Sequence, residues 1–503
     1  MTKIILAGVA LVLSASVSLA QEVTPQAGNR WYQDGQATLT EKLARQPNTG
    51  TAKNIILMIS DGNGIASNYA TRLFLGQKNG GYGDEAVLPQ EKFPYLALVK
   101  TYNVNAQTPG SAGSGTALHS GVKTSLGVVG VGEGLKRGDC SQVEANKVKS
   151  IVSILDDMGK SVGVISTARL TDATPATAYA QSANRTFEDD SKLPDKCGVK
   201  DIADQLLDAI KSGRVDVALG GGRRHFLPKE ATDFEGEAGR RRDGRNLMDE
   251  AREAGAEIVT DDVEFAALNP DDTAPVLGLF ESDHMKYEYD RIGEPSLAEM
   301  VEASIKRLQG NENGFFLSVE AGRIDHANHD GNLYRALTDG VAFADAVSRA
   351  VALTSSQDTL IIVTGDHSSA LTFNGYCGRG SPITGLCYKI NKTGVKHLEK
   401  PARAKDGKPY TVAGYLNGKS SVLKKDENYS GSRPVVTEQQ ASDPDYLQQA
   451  LVPLSAETHS GADVAVYARG PWAHLLDGTI EQNFIFHVMK YAAEAQKGSA
   501  MTA

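Results

Sequence analysis

Three apolar runs in this chain each end in side chains that can hold a metal ion, and this repeated junction restricts the folds open to it. Thr359-Leu360-Ile361-Ile362-Val363 leads through Thr364-Gly365 into Asp366-His367. Asn54 to Ile59 leads into Asp61 within Ser60-Asp61-Gly62-Asn63-Gly64, and Gly314 to Val319 leads into Glu320 and then Asp325-His326-Ala327-Asn328-His329. Continuous apolar runs of this length read as strands buried on both faces. Open α/β sheets bind ligands in the crevice beyond the carboxyl ends of their strands, so the three junctions predict one shared metal cleft.

Further runs at Ser161 to Ile165, Val215 to Leu219 and Val464 to Tyr467 alternate with helical patterns such as Asp201 to Ile210 and Leu333 to Leu353. Strands alternating with helices give an α/β class with a central, largely parallel sheet sandwiched by helices. At 503 residues the chain exceeds a usual single core, which predicts one core carrying decorations. The core is expected over residues 21–370 together with 458–493. Residues 186–272, charge-rich and containing Gly220-Gly221-Gly222-Arg223-Arg224, are expected to be an insertion. Residues 371–457, rich in Gly, Lys, Ser and Pro, are expected to form a small inserted, crown-like domain that leaves the sheet after Asp366-His367 and returns at His459. The end of the chain, 494–503, reads as a disordered tail.

A net charge of −10 argues against nucleic acid or an anionic membrane as a partner, and Arg240-Arg241-Arg242 reads as a solvated loop. Lys3, the apolar stretch Ile4 to Leu13 and Ser18-Leu19-Ala20 form a secretory signal with cleavage after Ala20, too short and interrupted for a membrane span. The expected location is therefore periplasmic or secreted. Export makes disulfides of the four cysteines, Cys377 with its near neighbour Cys387, which leaves Cys140 with Cys197.

Asp325 and His329, four apart, share one face of a helical turn. Asp172 and Thr174, two apart, would point the same way from an extended segment. Asp366 and His367 diverge in a regular strand, so joint ligation requires the backbone to turn there. Ser111 opens the small-residue run Ser111-Ala112-Gly113-Ser114-Gly115-Thr116-Ala117 at the start of a helix, where unpaired N–H groups favour an anion; it reads either as an N-cap or as a nucleophile.

The segment Ser111 to Ala117 followed by Gly121-Val122-Lys123-Thr124 resembles the nucleophile segment of the alkaline phosphatases. Asp172-Ala173-Thr174-Pro175-Ala176, Thr364-Gly365-Asp366-His367 and His459-Ser460-Gly461 resemble other motifs of that family, in its order, from about Lys53 to Tyr491. The resemblance implies a phosphomonoesterase working at alkaline pH through a phosphoserine at Ser111, with two zinc ions and one magnesium per chain and a homodimeric assembly. It assigns Asp325, His329 and His459 to one zinc, and Asp61, Asp366 and His367 to the second. Asp61, Thr174 and Glu320 go to magnesium, Arg185 to the substrate phosphate, and Asp172 and His326 to supporting roles. Three divalent ions against the carboxylates of Asp61, Glu320, Asp325 and Asp366 leave an excess of positive charge for a phosphate dianion. A metal-dependent phosphodiesterase of the same fold and a non-enzymatic periplasmic metal- or phosphate-binding protein are the alternatives; Thr174, Glu320 and Arg185 favour monoesters, and Ser111 favours catalysis.

Two departures stand out. Where the family commonly has aspartate before the nucleophile, this chain has Gly110, which predicts an Arg185 held less rigidly and a weaker grip on product phosphate. Phe280-Glu281 resembles part of a calcium site of animal members, whose remaining ligands the sequence does not place. His119, His225, His284, His397, His474 and His487 are expected at the surface or in the core, and Trp472 in the core.

Overall fold

The computed structural model describes residues 25–394 and 397–495. The expected signal sequence and the part of the expected tail beyond Ala495 lie outside the described residues. The chain divides into a unit ending at Gln46 and a second running from Pro47, rather than at residue 21. In the first unit the helix Arg30–Leu43 starts at Asn29, whose side chain accepts the Trp31 N–H, and it buries none of its residues.

In the second unit the strands are β1 (Asn54–Ser60), β2 (Tyr95–Lys100), β3 (Ser161–Arg169), β4 (Val217–Gly221) and β5 (Glu257–Val259). They continue with β6 (Val276–Leu279), β7 (Phe315–Ala321), β8 (Thr359–Gly365), β9 (Ser368–Ser369) and β10 (Leu371–Phe373). The last are β11 (Ala413–Gly418), β12 (Ala450–Pro453), β13 (His459–Ser460), β14 (Val464–Arg469) and β15 (Gly478–Glu481). Ten of them form one sheet in the order β15-β2-β14-β8-β1-β7-β3-β4-β6-β5. Only β14 runs against its neighbours.

Side chains alternate across this sheet. Ile55, Leu57 and Ile59 of β1 enter one core, beneath the helices Ile151–Asp157, Ile202–Lys211 and Phe484–Glu494. Ile56 and Met58 enter the other, beneath Leu297–Leu308 and Leu333–Leu353. Both faces are therefore dry, which is why the central strands read as unbroken apolar runs.

Residues 186–272 are not an insertion on the sheet. They supply β4 and β5, and β4 pairs with β3 and β6. The charges that suggested an exposed excursion are held in ion pairs: Arg223 and Arg241 are each 1% exposed, and Arg223 lies 2.9 Å from Asp233. Arg241, 3.0 Å from Asp201, is likewise no part of a solvated loop. A buried guanidinium is tolerated only with such partners.

Residues 371–457 contain the three-stranded sheet β10-β11-β12, whose Leu371, Ala413, Tyr415 and Ala450 pack with Leu73, Phe74 and Leu337 of two helices of the main body. Chain leaving and chain returning meet in the ribbon β9–β13, where His459 pairs with Ser369. Disulfides join Cys140 to Cys197 and Cys377 to Cys387.

Candidate active site and metal centre

Strand register sets the level at which the candidate ligands emerge. Ile59 of β1 is opposite Glu320 of β7, and Ser60 is opposite Gly365 of β8, so Asp61, Glu320 and Asp366 leave three adjacent strands side by side. A slip of one residue would send each carboxylate to the other face.

After β8 the chain turns as joint ligation requires. Asp366 Oδ1 accepts the N–H of His367 at 2.8 Å and that of Gly62 at 3.1 Å, while Asp366 Oδ2 lies 3.3 Å from His367 Nε2. Asp61 Oδ1 is 3.4 Å from the same nitrogen, giving the buried group Asp61, Asp366, His367. Two residues that the sequence reading passed over steady it: Ser114 Oγ donates to Asp366 Oδ2 at 3.0 Å, and Gln482 Nε2 to the Asp366 carbonyl at 2.7 Å.

A second group comes from the helix Arg323–Asp330. His329 Nε2 lies 3.0 Å from Asp325 Oδ2, one helical turn away, and His459 Nε2 lies 3.6 Å from the same oxygen. Each imidazole is aimed by its other nitrogen: His329 Nδ1 donates to the Glu457 carbonyl at 2.6 Å, and His459 Nδ1 to the Pro109 carbonyl at 2.7 Å. Both Nε2 atoms therefore face inward, the arrangement that orients histidine toward a cation. The rings of His367 and His459 stack with centroids 3.5 Å apart, so the two groups adjoin.

Thr174 was expected on an extended segment with Asp172. Instead Asp172 is the N-cap of the helix Ala173–Tyr179, and Thr174 sits in its first turn, because Asp172 Oδ1 accepts the Ala173 N–H at 2.6 Å. Glu320, 3% exposed, is held by the Ser166 hydroxyl from the adjacent β3. Ser111 is the first residue of the helix Ser111–Ser120, one place inside the N-cap Gly110, and its Oγ lies 3.2 Å from His367 Nε2. Asn103 Oδ1 accepts the Gly110 N–H at 3.0 Å and fixes this turn.

The donor set fits divalent cations. Asp61 Oδ1, Asp325 Oδ1 and Thr174 Oγ1 are buried with no hydrogen-bond partner among the described residues. Burial first, then the nearby carboxylates of Asp366, Asp325 and Glu320, push Asp61 well above the usual carboxylate range. Burial, reinforced by Asp172 and Asp366, pushes Glu320 up to about 8. Carboxylates crowded out of water are stabilised by a shared cation.

Asp172, His284 and His326 form a third cluster, and His284 is thus not the unconnected histidine that was expected. Its two rings lie against each other at a tilt of 53°, with the centroids of His284 and His326 4.1 Å apart. No local pattern signals it, since His284 arrives from the loop after β6. Its lone pairs are already in use: the Arg169 N–H donates to His284 Nδ1 at 3.2 Å, and Arg323 Nη1 to His326 Nδ1 at 3.0 Å. Burial and neighbouring positive groups drive His284 down to about 2 and His326 to about 4, so both are neutral acceptors. This cluster suits positioning rather than cation binding.

Arg185 is not left without a carboxylate by Gly110. Its Nη2 donates to Asp172 Oδ1 at 2.7 Å. Glu281 of Phe280-Glu281 pairs with the Lys286 ammonium. His119 is a satisfied core residue, 2.9 Å from Ser318 Oγ, and His225 is paired with Asp189 at 2.5 Å. Trp472 packs against Tyr491 in the core. Ser111, Arg185, Asp61, Thr174, Glu320, Asp325 and His459 face one cavity of about 240 Å³.

The family model described as alkaline phosphatase matches residues 52–495. The chain belongs to the alkaline phosphatase family. It is 42% identical to the tissue-nonspecific alkaline phosphatase isozyme of Felis catus, covering 96% of this chain and 92% of the relative. It is also 42% identical to the alkaline phosphatase of Gadus morhua, over 94% and 98% of the two chains. Among solved structures, the alkaline phosphatase of Thermus thermophilus superposes with a TM-score of 0.63 at 23% identity, covering 90% of this chain and 94% of its own. That of the Antarctic bacterium TAB5 gives 0.60 at 21%, covering 89% and 99%. The solved structures bear on the fold; the near-full-length relatives bear on the activity. This alkaline phosphatase is an enzyme that hydrolyses phosphate monoesters, and its family works with divalent metal ions.

Proposed function

We propose that hydrolysis runs at alkaline pH through a phosphoserine at Ser111. The observation that carries this reading is the position of Ser111 Oγ, at a helix N-terminus and 3.2 Å from His367 Nε2, in the cavity that Arg185 also lines. Asp325, His329 and His459 would hold one zinc, Asp61, Asp366 and His367 a second, and Asp61, Thr174 and Glu320 a magnesium. When bound, these ions supply positive charge for the serine oxygen, the hydrolytic water and the oxygens that enter and leave in an in-line displacement.

The chain's own groups do the rest. Ser111 Oγ forms a bond to phosphorus as the alcohol departs, and water then cleaves that bond to release inorganic phosphate and restore the hydroxyl. N–H groups at the start of Ser111–Ser120 and the planar fork of Arg185 hold phosphate oxygens. Asp172 and His326 support the anion site from behind. We further propose export to the periplasm or outside the cell, a homodimer, and a crown-like role for residues 371–457 over the site.

The test is a chromogenic assay with an aryl monophosphate, an aryl phosphodiester and an aryl sulfate, with and without chelator, paired with elemental analysis. Monophosphate turnover that chelation abolishes, with two zinc ions and one magnesium per chain, is expected. In Ser111→Ala, labelling by radioactive phosphate at acidic pH should vanish while zinc content stays near normal. Persistent labelling of that variant would sink the nucleophile assignment.

A further inference from the structure

We infer that the side chain of Glu457 is a positioning group for His329, fixing the direction of its Nε2 and strengthening that nitrogen as a donor to a cation; this rests on the reading of Asp325, His329 and His459 as one cation group. Glu457 stands two residues before His459, where residues 371–457 rejoin the main body, and it meets His329 in three ways. Its carbonyl accepts the Nδ1–H at 2.6 Å, its N–H donates to the His329 carbonyl at 3.0 Å, and its Oε2 lies 3.5 Å from the same Nδ1. The two main-chain bonds require no particular side chain. The third approach requires a carboxylate.

That carboxylate is 1% exposed, and a charge leaves water only when something compensates it. Oε1 accepts the Ala370 N–H, but Oε2 is buried with no hydrogen-bond partner among the described residues, and the imidazole is what faces it. A carboxylate behind a ligating imidazole keeps the proton on Nδ1 and makes the opposite nitrogen more basic, here the Nε2 that points at Asp325. The strand β11 holds this arrangement from both sides. Asn417 Oδ1 accepts the Thr458 N–H at 3.0 Å and its Nδ2 donates to Thr458 Oγ1 at 2.9 Å, while the Tyr415 hydroxyl donates to Asn328 Oδ1 at 2.7 Å, one residue before His329. Residues 415 and 417 are two apart in one strand, so a single face of β11 grips both segments. A purely structural Glu457 would do no more than fasten the returning chain to Ala370. Glutamine does that equally well, since it keeps an acceptor for the Ala370 N–H and loses only the charge.

The experiment uses metal-loaded full-length enzyme and reads zinc release to a competing chelator, the visible spectrum after cobalt replaces zinc, and the melting temperature of the chelated protein. In Glu457→Gln one of the two zinc ions should leave about ten-fold faster or more, and the cobalt bands of that site should shift, while the chelated protein melts as the native one does. Glu457→Ala, which also loses the Ala370 bond, should lower the melting temperature as well. Asn417→Ala should speed release of the same ion and not the other.

Native zinc release and an unchanged cobalt spectrum in Glu457→Gln would overturn the proposal and leave Glu457 a structural residue. Equal acceleration of both ions would overturn it too, since it would mean general loosening. If His459→Ala kept both ions, the reading of Asp325, His329 and His459 as a cation group would fall instead, which separates the two failures.

Discussion

Gly110 and His459 show how a single position acts through what surrounds it. The backbone at Gly110 is one that any residue adopts, and a Cβ there would meet the Leu126 Cδ1 at 2.7 Å, the far end of an exposed, flexible side chain. Gly110→Ala is therefore expected to cost less than about 1 kcal/mol, close to the difference between the two residues at an N-cap, and to leave turnover unchanged. Denaturant unfolding and an aryl phosphate assay check this; a cost of several kcal/mol would mean Leu126 cannot move. His459 has less latitude. It is one of three protein donors in its group, so His459→Ala should empty that site, and full zinc stoichiometry in the purified variant would contradict its assignment.

At the scale of elements, close packing of two short helices brings Ser111 and Thr174 to one cavity. The helix Ser111–Ser120 is wholly buried and made almost entirely of small residues, which lets it approach Ala173–Tyr179. A Cβ at Gly115 would come within 2.7 Å of Thr177 Oγ1. That hydroxyl cannot easily yield, since it donates to the Thr174 carbonyl at 2.6 Å and lies 2.9 Å from His119 Nδ1. Alanine gains about 1 kcal/mol over glycine in helix propensity, whereas overpacking a dense core costs about 1 to 3. Gly115→Ala should thus lower the melting temperature and, by displacing Thr174, weaken magnesium binding more than zinc binding. A metal titration that found all sites unaffected would show that the second helix accommodates the methyl group.

The whole molecule responds to pH through its buried groups. Without metal, Glu320 is raised to about 8 and Asp339, buried in the same way, to about 8. His329, although burial opposes its charge, is raised to about 11 by Asp325. Each folded-state value exceeds its unfolded one, so between pH 6.5 and 8 the native state binds more protons than the unfolded state, and stability falls as pH rises. The buried histidines with lowered values, His119, His326 and His367 at about 4 and His284 at about 2, oppose this slope only at the lower end of the window, because their unfolded imidazoles lose their last protons within about one pH unit above 6.5. Chelated protein should therefore melt progressively lower from pH 6.5 to 8. Metal-loaded protein should lose less, because bound cations take the place of the protons on Glu320 and His329. Calorimetry of both forms across this window is the check, and parallel slopes would mean the ions do not sit on these residues. The disulfides contribute on the same scale: neither includes a candidate ligand, so reductant should lower the melting temperature by unconstraining the unfolded chain while intact protein keeps its activity. Loss of activity ahead of unfolding would place a cysteine nearer the chemistry.

What the sequence determined by itself were the parts governed by local pattern. Period-independent apolar runs marked β1, β7 and β8 because their strands are buried on both faces, and the candidate ligands at or just after their ends, Asp61, Glu320 and Asp366-His367, were legible for the same reason. The pair Asp325 and His329 followed from helical geometry, while Ser111, Arg185 and His459 depended on motif resemblance. Only the tertiary structure decided the rest. Residues 186–272 join the sheet because β4 and β5 find partners distant in sequence, and their charges find buried counter-charges, neither of which composition records. His284, Ser114, Gln482 and Arg169 reach the site from separate elements, so no spacing could announce them. The absence of a carboxylate at position 110 was visible in the chain, but the Asp172 carboxylate that takes its place beside Arg185 was not, because an ion pair is a fact of distance in three dimensions and thirteen residues of sequence do not specify it.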